Sequence, residues 1–128
     1  MREILMTTNL LLDNRFKQAL ELFNSSDWYL AHDFFEELWH ETNGPERKTL
    51  QGLLQIAVAQ IHLERGNQTG ATILYGEGLG RLKDIATPDL GLDLDYLCFC
   101  VQTRLFKLQQ NDDPASCTVP VLKVKTNK

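Results

Sequence analysis

One stretch limits the architecture of this chain more than any other: residues 45–66, reading PERKTLQGLLQIAVAQIHLERG. At about 3.6 residues per turn, Leu50, Leu53, Leu54, Ala57 and Ile61 form one apolar face, while Gly52, Ile56, Ala59 and Leu63 form another nearly as apolar. A helix with one apolar stripe can lie on a surface. A helix that is apolar on two sides needs neighbours on both, because the exposed side would otherwise hold greasy area in water. The spacing therefore predicts a central helix with others packed around it. Pro45 suits its first turn, where a missing N–H costs little, and Glu46 favours the positive end of the helix. Gly66 supplies a left-handed stop.

The flanking sequence supplies the neighbours. Leu12, Phe16, Ala19 or Leu20, and Phe23 recur at helical spacing, with Asp13 or Asn14 placed to cap. After the turn cluster Asn24-Ser25-Ser26, either Ser26 or Asp27 can cap a second helix running to about Glu41. Asn67 or Thr69 can open a fourth, reaching roughly Ala86. That segment carries Gly70, Gly76, Gly78 and Gly80, each costing up to ~1 kcal/mol against alanine inside a helix. Close contact along Gly70, Leu74, Gly78 and Leu82 would offset the cost; a kink near Gly76 is the alternative. The fifth helix, about Leu92 to Gln110, sets Leu94, Leu97, Cys98, Val101, Leu105 and Leu108 on one face, with Phe99 and Phe106 off it as a second packing surface. Strand patterning is nearly absent. The expected fold is all-α, a compact bundle of about five helices, with residues 1–110 as one domain and 111–128 as an extended basic tail, partly disordered or draped on the bundle.

Composition narrows the functional classes. A chain of 128 residues suits one domain and can bury about two-thirds of its unfolded surface without staples. A net charge of −4 argues against nucleic acid and anionic membranes as partners. No apolar run approaches the ~20 residues that span a bilayer, and Thr7, Thr8, Asn9 and Asp13 interrupt any signal-peptide core. Cys98, Cys100 and Cys117 make neither an even disulfide set nor a C-x-x-C pair, so a reducing cytoplasm is the expected location. On a helix Cys98 and Cys100 point roughly 160° apart, and Cys98 reads as a small buried hydrophobe. Phosphate-loop, nucleophile-elbow and H-E-x-x-H patterns do not occur.

The polar residues on apolar stripes carry the functional question. In WYLAHDFFEELW, Trp28, His32, Phe35 and Trp39 share a helical face, with Glu36 at its edge. An imidazole between two tryptophans costs free energy unless it is partnered, and Glu36 stands one turn away. Gln51, Gln55 and His62 line one flank of the central helix. In the structural reading His32 donates to Glu36, Gln55 or His62, fixing the register of two helices, with the indoles of Trp28 and Trp39 bonded into the same network.

HDFFEELW also fits the pattern H-x-x-x-E-x-x-W. Together with GPERKTLQGLLQIAVAQIHLERGNQTGA it resembles the core of the DUF309 family, over about residues 23–82. His32, Glu36, Trp39, Gln51-Gly52-Leu53, His62, Gly66-Asn67 and Gly70-Ala71 stand where that family has them; Asp33 stands where glutamate is commoner. The resemblance implies a small all-helical protein of unknown function. Its motif has been suggested to bind metal, and some members carry the label "predicted metal-dependent hydrolase". On this chain that implies a divalent ion held by His32, Glu36 and His62, with Gln55 as the next candidate and Trp28, Trp39 and Gln51 around it. Such an ion would lower the pKa of a bound water towards ~7.

A third expectation is a protein-interaction module. Two segments read as helix end, turn, then a helix with an early alanine (Ala31, Ala71), as in helical hairpins that bind peptides or themselves. Phe99 and Phe106 would supply the apolar patch, and a homo-oligomer through helix faces is the partner this favours.

Overall fold

The computed structural model describes residues 10–125. It contains five long helices: α1 (Asn14–Asn24), α2 (Trp28–Glu41), α3 (Glu46–Glu64), α4 (Gln68–Lys83) and α5 (Leu94–Gln109), followed by a 3₁₀ turn at Pro114–Ser116. Consecutive helices pack on one another, α3 being covered by α2 on one side and α4 on the other. Its buried positions run through Leu50, Gly52, Leu53, Ile56, Ala57, Ala59 and Ile61, so both apolar faces are used as the spacing predicts. The fourth helix ends earlier than expected, because Asp84 is extended (ψ 127°) and the chain leaves for the α4–α5 loop.

Three helices stop by the same device. Ser26, Gly66 and Asn111 all take positive φ (64°, 76° and 60°) just after α1, α3 and α5. In each case the next amide reaches back over the last turn: Asp27 N–H to Leu22 O at 2.8 Å, Asn67 to His62 at 2.8 Å, Asp112 to Lys107 at 2.8 Å. This satisfies carbonyls that a helix end otherwise leaves bare. Asp13, Asn67 and Asp93 cap the following starts through side-chain oxygens, whereas Asp27 makes no such bond.

The α3–α4 crossing is set by two glycines. A methyl on Gly78 would lie 2.8 Å from Ile56 Cδ1 and 3.1 Å from the Gly52 carbonyl; one on Gly52 would lie 2.7 Å from Leu82 Cγ. The backbones approach as closely as hydrogen side chains allow. Gly76 and Gly80 face open space, so only part of the expected glycine stripe is contact.

The described part of the segment after α5 returns to the helices. The Asn24 side chain donates to the Leu122 carbonyl at 2.9 Å and accepts from its amide at 2.7 Å. Lys125 N–H reaches Gly91 O and Asp93 N–H reaches Lys123 O, both at 2.8 Å, around a bridge between Leu92 and Val124. Pro120 and Leu122 are buried. No described helix is long and apolar enough to cross a membrane.

Candidate functional site

The buried face of α2 is Trp28, Ala31, Phe35 and Leu38. That choice of face turns His32 and Trp39 to the flank. The His32 side chain is 22% exposed, its Nε2 lies 3.7 Å from Glu36 Oε2 and its Nδ1 3.3 Å from Asp33 Oδ1. Both carboxylates are open to solvent. Trp28 is a core residue, edge-on to Phe23 with ring centroids 4.9 Å apart. Trp39 is covered by the Arg47 guanidinium, 3.8 Å from its ring, and Arg47 Nε donates to the Trp39 carbonyl at 3.2 Å. Its indole N–H is buried and has no hydrogen-bond partner among the described residues, contrary to the expected network.

The glutamine and histidine of α3 join other groups. Gln55 donates to Glu77 at 3.0 Å and accepts from Arg81 at 3.1 Å, tying α3 to α4. His62 Nδ1 lies 3.1 Å from Asn67 Nδ2, while Asn67 Oδ1 accepts from the Gly70 amide at 2.9 Å. His62 thus steadies the cap of α4, and a methyl at Gly70 would sit 2.6 Å from Asn67 Nδ2. Gln51 is half-buried on the same helix. So the structure brings His32 and Glu36 together, but it assigns Gln55 and His62 to two separate clusters. Among the described residues no group of three or more His, Cys, Asp or Glu side chains is placed to hold a metal ion. His32 and Glu36 offer two donors of a suitable kind, and His62 does not complete the set. The fit to a resident metal is therefore incomplete.

Sequence reasoning missed two polar clusters. Arg15 donates to Asp13, Glu37 and Glu41, linking α1 to the outer face of α2. Its guanidinium holds the Asp13 and Glu41 carboxyls below their ordinary range. The other cluster is buried: Arg104 on α5 is 6% exposed and holds the carbonyls of Thr118 and Cys117, each at 3.1 Å. Tyr75 beside it is fully buried, and burial pushes its hydroxyl up to about 12 despite the nearby guanidinium. A signal existed in the spacing. Arg104 stands three residues after Val101 and four before Leu108, on the buried stripe itself.

Off that stripe, Phe99 is 66% and Phe106 60% exposed, with Gln102 and Thr103 between them along a shallow groove of about 310 Å³. A second cleft of about 530 Å³ adjoins it through Phe99 and Gln102 and runs past the fully exposed Ile85. Cys98 lines that cleft, and burial pushes its thiol up to about 11.

Comparison with known proteins agrees with this core. The sequence pattern of DUF309, a domain of unknown function, matches residues 16–74, from α1 through the first half of α4. An uncharacterised Bacillus subtilis protein, YpuF, is 30% identical over 105 residues, covering 80% of this chain and 60% of YpuF. An uncharacterised Aquifex aeolicus protein is 35% identical over 60 residues, covering 45% of this chain and 18% of that protein. The chain thus spans less than two-thirds of either relative. The DUF309 match over residues 16–74 takes in the motif residues His32, Glu36, Trp39, His62 and Gly70.

Proposed function

We propose that this DUF309 chain is a helical interaction module that pairs with a second copy of itself through the outer face of α5. The observation that carries the reading is the exposure of Phe99 and Phe106 on one helix face of a protein whose other aromatic rings are mostly covered. Two phenylalanines standing mostly in water cost the isolated chain free energy that burial would return, at roughly 25 cal/mol per Å².

A second copy suits the patch better than an unrelated partner, because the patch is self-complementary. The side chains between the rings, Gln102 and Thr103, are uncharged. An antiparallel pairing with its two-fold axis between these positions sets Phe99 of each copy on Phe106 of the other. It also opposes the helix dipoles favourably and sets no like charges against each other at the centre. The polar residues between α3 and α4 then serve the scaffold: Gln55 with Glu77 and Arg81, and the motif's His62 with Asn67, hold the two helices in the register that presents α5.

Size-exclusion chromatography with light scattering tests this. Wild type is expected to give the mass of two chains at tens of micromolar, with Phe99→Ser and Phe106→Ser each giving one. A wild-type monomer at all accessible concentrations overturns the reading.

A further inference from the structure

A cleft of about 340 Å³ opens where the end of α3, the start of α4, α5 and the 3₁₀ turn meet, on residues that the pairing face does not use. Its walls include Gln60, Glu64, Gln68, Arg104, Asp113 and Pro114. Two of these are buried polar side chains with unused capacity. Gln60 is 5% exposed, and its Oε1 accepts no hydrogen bond from the described residues. Arg104 spends two of its five N–H groups on tail carbonyls, and no carboxylate pairs with it among the described residues. Behind them the Tyr75 hydroxyl is buried against the Arg104 guanidinium. Buried polar groups are nearly always satisfied, so the orphaned Gln60 oxygen beside a buried, carboxylate-free guanidinium in one cleft points to something that satisfies it.

We propose that this cleft binds a small zwitterion of the α-amino-acid class. Arg104 supplies the charge and paired N–H groups that a carboxylate takes up. Gln60 Oε1 accepts from an N–H of the ligand. Glu64 and Asp113 in the same walls favour an ammonium and disfavour a plain anion. The bonds of Arg104 to residues 117 and 118 tie the segment just after the 3₁₀ turn to α5, so displacement of that segment gives access to the buried atoms.

The experiment is a two-dimensional NMR titration of the full chain, following the side-chain signals of Gln60 Nε2 and Arg104 Nε. The probes are pools of free L-amino acids, acetate (a carboxylate with no N–H) and glycine betaine (a carboxylate with a cation and no N–H). Saturable shifts of both signals by at least one amino-acid pool are expected, with at least tenfold weaker binding of acetate and betaine. Gln60→Leu, close in volume and free of the orphaned oxygen, is expected to weaken amino-acid binding at least tenfold while leaving the backbone spectrum folded; Arg104→Lys serves as the second variant. Equal binding of acetate, unchanged binding in folded Gln60→Leu, or no shift with any pool overturns the proposal. None of these outcomes depends on the pairing of α5.

Discussion

The glycine contact between α3 and α4 gives the sharpest test of the packing, because one helix contains both the test and its control. Replacing Gly78 by alanine places a methyl 3.1 Å from the Gly52 carbonyl, a backbone atom that cannot rotate away, and 2.8 Å from Ile56 Cδ1. Overpacking of this kind costs about 1–3 kcal/mol, against which alanine recovers about 1 kcal/mol of helix propensity. The net expectation for Gly78→Ala is a loss of about 0–2 kcal/mol, centred near 1 kcal/mol. Gly76 and Gly80 lie in the same helix, exposed, with nothing near an added methyl. There alanine should stabilise by about 0.5–1 kcal/mol, since only the propensity gain remains. The contrast of about 2 kcal/mol corresponds to very roughly 6–10 °C in Tm for a chain of this size. Urea unfolding followed by helical circular dichroism, at one protein concentration and with unchanged m-values, measures it directly. If Gly78→Ala is as stable as Gly80→Ala, the two backbones do not meet as described.

His32→Ala is expected to cost less than about 1 kcal/mol, because the imidazole is partly exposed and both its carboxylate neighbours are open to solvent; a loss above 2 kcal/mol in denaturant would show that His32 holds the core. Chelator should likewise leave the melting temperature of tag-free protein unchanged, and a large drop would restore a resident metal. Stability should fall as pH rises above about 9, since the unfolded thiol titrates at its ordinary value near 9.0 while Cys98 is pushed up to about 11, and Tyr75 to about 12 from 10.0. Over that window the folded chain keeps protons that the unfolded chain has shed, so unfolding is favoured with each added unit; Cys98→Ala should move the onset towards pH 10, and a flat profile to pH 11 would contradict the burial of both groups. Asn24→Ala should speed hydrogen exchange at the Leu122 amide, which bonds to the Asn24 carboxamide at 2.7 Å; unchanged exchange would mean that the tail is held elsewhere.

The helices were legible because their signals are local. The two-faced apolar pattern of residues 45–66 required neighbours on both sides, and Gly66 and Asn67 marked the stop and restart. The motif site was not legible, because a helical wheel gives which residues share a face but not the rotation of that face against its neighbour. On α2 the burial of Ala31 and Leu38 turns His32 and Trp39 towards the flank, a rotation that the bulk of the two tryptophans obscured. Gln55 and His62 share a flank of α3, yet they are two turns apart, and each finds a nearer partner on α4 or at its cap. Arg104 was overlooked for a related reason. Leu105 beside it satisfies the same apolar spacing, and only the returning tail, with its free carbonyls at 117 and 118, makes burying an arginine tolerable.

The pairing of α5 with its copy is tested most directly by exchanging its contact for a charge pair. Phe99 and Phe106 lie about 10 Å apart along one helix, too far to pair within a chain, but the antiparallel register sets each against the other across the two-fold. In sedimentation equilibrium, Phe99→Asp and Phe106→Lys are each expected to give the mass of one chain. The double variant is expected to regain a dimer that weakens with salt. A wild-type monomer, or a double variant that stays monomeric at low salt while each single variant remains folded, contradicts the register and the function built on it.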